Sequence, residues 1–251
     1  MQSDRDTGRQ PAWLERALPT RSPDDLSGPG HRQAIGWLGA SLPALVVLLD
    51  RARPTSGLTP DELTSISAYY YSSAVVAFSG VLAAMAVYLI TYEGYDTPDG
   101  RRDRIASTIA GWAAAVVILF PTRPPGLPPP PEPTWWEEWI GWLHYGGAVV
   151  LFGSFVYFCI FRFTKSGTPR SQWDRLKWSR NSVYVFCGVA IAGALLLALR
   201  SGRRGEPIFW QEVAAVELFA VSWLLKGGAP GTILRLPGAV VGSVTGNDPP
   251  T

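Results

Sequence analysis

Six mostly apolar stretches run through the chain, separated by short charged or proline-rich segments. They extend roughly from Ala34 to Leu49, Ala68 to Tyr92, Ile105 to Phe120, Trp139 to Phe161, Val183 to Leu199 and Ile208 to Leu225. As helices rising about 1.5 Å per residue, the shortest reach about 24 Å and the longest exceed the ~30 Å hydrocarbon core of a bilayer. The pattern predicts an all-α polytopic membrane bundle of six transmembrane helices. Residues 1–33 show no sustained apolar period and read as a disordered arm, because they bury too little apolar area to offset their ordering entropy. Ala12 to Leu18 reads as a short helical turn against the membrane, marginal on its own at that length. Residues 229–251 read as a polar, flexible tail.

Charge adds an orientation. The 22 Lys and Arg nearly balance the 20 Asp and Glu, a net charge of +2 that leaves no electrostatic footprint for nucleic acid. An even number of spans puts both termini on one side, and that side collects sixteen of the 22 basic residues when every loop is counted. The positive-inside rule then predicts that both termini are cytoplasmic. The basic loop with Arg170, Arg175, Lys177 and Arg180 reads as part of this signal, with contact to anionic lipid as the alternative. No cleavable signal pattern is visible, so the first span acts as an uncleaved insertion signal.

The flanking residues fit a membrane. Residues 121–133 are proline-rich and favour an extended, semi-rigid spacer on the outer side. Trp135, Trp136, Trp139 and Trp142 gather at the outer entrance of the fourth span, and Trp37, Trp173, Trp178 and Trp223 at the opposite interface, as expected of interfacial belts. The small pairs Gly80 and Ala84, Gly188 and Ala192, and Ala190 and Ala194 let helices approach closely, within the chain, against a second copy or against another membrane protein. Cys159 and Cys187 read as packing residues.

Candidate chemistry lies where polarity is expensive, since a carboxylate near the bilayer centre costs about 2.5 to 3.5 kcal/mol on insertion scales. Glu217 sits about 13.5 Å along the sixth span, near mid-membrane. Glu212 lies closer to the outside and faces about 140° away. His144, about 7.5 Å inside the fourth span, shares the depth of Glu212, which makes a contact between them geometrically reasonable. Tyr69 and Tyr70, in the run Ser65 to Ser73, form either an interfacial belt or the wall of a pocket; Asp50, Asp61, Glu62, Pro121 and Thr122 converge on the same outer half. On the cytoplasmic side, Tyr92-Glu93-Gly94-Tyr95-Asp96 and the following Thr97 to Arg102 predict a tight, salt-bridged connection.

Several chemistries lack a signature. Two histidines do not furnish a histidine-rich metal site, and there is neither a phosphate-cradling glycine loop nor a dinucleotide fingerprint, so no metal or cofactor is expected. Ser67 or Ser72 with His144 and Glu212 supplies the residue types of a hydrolase but no nucleophile elbow. No residue is assigned as catalytic.

The run Ser65-Ile66-Ser67-Ala68-Tyr69-Tyr70-Tyr71, then Tyr92 to Asp96, Leu119-Phe120-Pro121-Thr122, the His144 segment and Trp223-Leu224-Leu225-Lys226-Gly227, resembles a bacterial six-span membrane protein family, a domain of unknown function. The likeness covers residues 34–228, and the layout is also loosely similar to the Frag1/DRAM/Sfk1 group. It implies the architecture and carries no activity. The residues themselves point to an outward-facing intramembrane pocket of Tyr69, Tyr70, His144, Glu212 and Glu217 that binds or moves a lipid or small polar molecule. A structural subunit of a membrane complex is the alternative, and a lipid-modifying enzyme using His144 and an acid is a third reading.

Overall fold

A computed structural model describes residues 26–54, 58–95, 98–125, 135–165 and 175–229. The fold is all-α, with six helices: α1 (Gly28–Ala52), α2 (Val75–Ile90), α3 (Pro98–Leu119), α4 (Glu138–Tyr157), α5 (Arg175–Gly202) and α6 (Phe209–Lys226). Three stretches are long and apolar enough to cross a membrane: α1, Glu138–Arg162 and Lys177–Gly202. Helix α2 is apolar but only 16 residues long. Charge distinguishes the remaining two, because α3 opens with Arg101, Arg102, Asp103 and Arg104 and α6 carries Glu212, Glu217 and Lys226.

Each helix packs on the next in the chain, and α6 returns to pack on α1, closing a ring. Small residues set the spacing of the seams. A Cβ on Gly36 would come 2.6 Å from Leu224, one on Gly111 2.8 Å from the Ala86 carbonyl, and one on Gly147 2.9 Å from Val116, so these backbones touch where side chains would otherwise hold them apart. At Gly188 an added Cβ would run into Ile160, which confirms that part of the small-residue expectation. Gly80 differs: it is exposed, with nothing within 4 Å of a Cβ built there. Inside the ring, Phe155 of α4 stacks on Phe219 of α6 with ring centroids 3.5 Å apart, filling the axis of the bundle.

The helices and the apolar stretches do not share ends. α1 begins six residues before Ala34, inside the segment read as an arm, and α3 and α5 begin well before Ile105 and Val183. Intrahelical hydrogen bonds propagate through charged turns that no bilayer core would admit, so helices outrun the apolar signal. The second stretch behaves oppositely. It breaks into a 3-10 turn, Ser67–Tyr71, and α2 proper, with Ser72 extended between them. Ser72 Oγ donates to the Tyr69 carbonyl and accepts from the Ala74 N–H, the local side-chain bonding by which serine competes with a helix.

Two further local features aim side chains. Pro43 inside α1 removes the backbone donor that would reach the Gly39 carbonyl. A π turn, Phe158–Arg162, ends α4 and brings Arg162 inward to a buried position. The reading of residues 1–25, of most of the proline-rich segment, of Trp173 and Arg170, and of the tail beyond residue 229 lies outside the described residues.

Trp223 overturns its assignment to an interfacial belt. It is 0% exposed and packs among Tyr92, Phe158, Phe163 and Phe219. Trp136 is also buried, its indole N–H donating to the Pro121 carbonyl at 3.3 Å. Trp37, Trp135, Trp139, Trp142 and Trp178 face outward, as a belt requires.

Candidate functional site

The broken second stretch creates the most distinctive polar arrangement. A 3-10 turn leaves its first backbone N–H groups without intrahelical acceptors, and a buried orphan donor is costly. Glu212, in the first turn of α6, supplies the acceptor: its Oε2 takes the Ile66 N–H at 2.6 Å, and the carboxylate also accepts from the Ser67 N–H. The Ile208 N–H returns a bond to the Thr64 carbonyl at 2.8 Å, so two rungs tie the start of α6 to the turn.

Beneath this junction lies a cavity with about 40 Å³ open to water-sized occupants. Its walls are apolar, with Leu42 of α1, Phe78 and Met85 of α2, and Phe155 and Val216 from α4 and α6 among them; Glu212 and Ser67 form its polar end. By general experience, ~10–15 Å³ on this measure admits one water, so the space suits a few waters or one small solute and excludes a lipid.

The other sequence-predicted residues take different places. Tyr69 is buried against Phe209, ring centroids 6.0 Å apart, near the start of α6 but outside the cavity lining. Tyr70 is half-buried and meets Tyr71 edge to face, while the Tyr71 hydroxyl donates to the Thr122 carbonyl at 2.7 Å and so ties the turn to the exit of α3. Asp50 lies within electrostatic reach of Tyr69, and its Oδ1 is buried without a hydrogen-bond partner. Glu217 is half-buried and does not line the cavity.

The contact with Glu212 that the depth of His144 allowed is not made. His144 Nδ1 instead lies 2.9 Å from the Phe120 carbonyl and 3.1 Å from that of Val117. Two carbonyl neighbours require the proton on Nδ1, so the imidazole donates to the unsatisfied C-terminal carbonyls of α3. Histidine here fastens α4 to the end of α3. With carbonyls in the place an acid would take at Nδ1, His144 does not link Glu212 to Ser67 or Ser72 in a Ser-His-acid arrangement.

At the opposite end the structure gathers residues that no single motif had joined. Arg32 is only 2% exposed; its Nε–H donates to the Tyr92 hydroxyl at 3.1 Å, and its guanidinium lies 4.7 Å from the Tyr95 ring centroid. Arg162 and Asp103, both buried, form an ion pair. Lys226 reaches the Phe163 carbonyl at 3.4 Å. Tyr92 lies just beyond the end of α2, which brings its hydroxyl within reach of the Arg32 guanidinium.

Backbone geometry locks this end. Gly94 has φ +73°, a conformation that costs an L side chain, and a Cβ there would come 3.2 Å from that of Asp103. The Glu93 and Gly94 N–H groups donate to Ser27 Oγ, and the Leu26 N–H donates to the Gly94 carbonyl, so the segment before α1 is pinned to the connection between α2 and α3. The spacing of Tyr92, Gly94 and Tyr95 was a signal for this cluster; Arg32, hidden in an otherwise polar segment, had none. Among the described residues no group of three or more His, Cys, Asp or Glu is placed to hold a metal ion.

No family model, curated protein or solved structure matches the chain.

Proposed function

We propose that the chain is a six-span protein of a bacterial inner membrane, with both termini cytoplasmic, that binds or moves a small polar solute through the cavity at Glu212. Support for six spans comes from the outer surface. All six helices turn large apolar side chains outward, including Leu48, Val76, Trp112, Trp142, Phe186 and Trp210, of which Val76, Trp142 and Trp210 are 78%, 74% and 75% exposed. A soluble bundle would leave these groups in water; hydrocarbon accepts them. Maleimide labelling tests the topology. A cysteine replacing Arg123 should react only from outside and one replacing Lys165 only from the cytoplasm, whereas labelling of both from one side overturns the arrangement.

The observation that carries the binding reading is a carboxylate at the polar end of an otherwise apolar cavity within the helix ring. An acid at such a depth is retained at a cost and marks a site for a proton, a cation or a polar solute. The cavity volume favours a small solute over a lipid. Native mass spectrometry of the protein released from its own membranes should find a small polar mass that Glu212→Gln loses without a change in melting temperature. Equal retention by both proteins, or none by the wild type, defeats the assignment.

One observation favours a second reading, a structural subunit. The outward face of α2 carries Val76, Gly80 and Val87, and Gly80 meets no neighbour. Docking of another membrane helix there predicts stable co-purification of one defined protein, lost in Gly80→Leu and retained in Glu212→Gln.

A further inference from the structure

A second hollow lies on the outside of the ring, between α3 and α4. It measures about 410 Å³ and is lined by Arg102, Ile105 and Ile109 on α3 and by Val150, Gly153 and Tyr157 on α4. Both sets repeat at i, i+3 and i+7, so each is one face of its helix, and the groove runs about 10.5 Å, or two turns, along the bundle. Gly153 opens it, since no atom lies within 4 Å of a Cβ built there. Ile105, Ile109 and Val150 are each about half exposed, as lipid-facing positions would be.

Apart from Ser154, whose hydroxyl donates to the Val150 carbonyl of its own helix, the groove is apolar along its length, and it is cationic at one end. Arg102 stands there with Arg101 and Arg104, all three exposed, in the opening turns of α3. Helix N-termini favour anions, and a guanidinium offers donors in a fork that fits a phosphate in two places. Tyr157, at the same end because α4 runs antiparallel to α3, is a residue type that bridges hydrocarbon and headgroup layers. We propose that this groove holds an acyl chain of an anionic phospholipid whose phosphate is bound by Arg102. The site is separate from the Glu212 cavity and rests on the six-span reading only in needing α3 to cross the bilayer, which opposite-sided maleimide labelling of Arg101→Cys and Arg123→Cys, at the two ends of α3, tests independently.

The test uses the full-length protein reconstituted in vesicles of equal phosphatidylcholine and phosphatidylglycerol, released into mild detergent and weighed by native mass spectrometry. Wild type is expected to retain phosphatidylglycerol in preference to phosphatidylcholine. Arg102→Gln should reduce that preference about fivefold, the effect of one basic group near a lipid surface. Gly153→Leu should lower retention of both lipids by filling the groove, and Arg104→Gln should change little. Equal retention of the two lipids by wild type overturns the proposal, as does undiminished binding by Gly153→Leu. An Arg104→Gln loss as large as that of Arg102→Gln overturns it too, by showing a diffuse field instead of a site.

Discussion

The two ends of the helix ring bury charge in opposite ways. At the arginine end, Asp103 faces Arg162 and Arg32 is enclosed by Tyr92 and Tyr95, so charge is met by charge, hydroxyl and aromatic face. At the cavity end, the Glu212 carboxylate is met by the Ile66 and Ser67 N–H groups, with open space beside it. Removing one partner of a buried ion pair strands the other, whereas an acid held by backbone amides can exchange its proton or greet a solute and keep its structural bonds. The first arrangement is suited to fastening helices and the second to binding.

That contrast can be broken experimentally, beginning where the effect is largest. Asp103→Ala leaves the Arg162 guanidinium buried and should cost about 3–5 kcal/mol, seen as a steep fall in melting temperature in detergent. Replacing Asp103 and Arg162 together by leucine should restore most of the loss; equal instability of the single and double variants would show that the pair does not act as a unit. At the other end, Glu212→Leu removes the acceptor of orphan amides and should cost about 1–3 kcal/mol. Glu212→Gln keeps an acceptor oxygen, so its melting temperature should stay near that of wild type while solute retention disappears.

Smaller changes sharpen the distinction. Gly94→Ala forces a side chain into a left-handed backbone and should cost about 1–2 kcal/mol, loosening the arginine end without altering solute retention at Glu212. A loss of retention in this variant would show that the ends are coupled. Gly80→Leu lies on the outward face of α2 and should shift the stability of the isolated chain by no more than about 0.5 kcal/mol, so any larger consequence in membranes reports a partner on that face.

Legibility followed the range of the interactions. The six helices were readable because an apolar stretch is a local property, and so was Gly188 as a close-approach site; the acid that depth along the sixth span singled out was Glu217, whereas Glu212 is the one that lines the cavity. The break at Ser72 was foreshadowed by the serines around it, since a serine side chain bonded to its own turn competes with helix continuation. His144 was visible as an unusual residue, but its partners are carbonyls at the end of α3, twenty-four and twenty-seven residues earlier. Trp223 was misplaced because an indole near a helix end fits an interface or an aromatic core equally well by sequence.

What the sequence alone determined is the helical class, the approximate position of each apolar stretch and the unequal sharing of basic residues between loops, all of which depend on composition along the chain. Only the tertiary structure decided that α6 closes on α1, that Arg32 is buried instead of solvated, and that Glu212 meets the Ser67 turn instead of His144. Those outcomes depend on which helix faces turn toward one another, and helices that are apolar on nearly every side leave that choice to packing, small-residue seams and the few polar groups that must find partners.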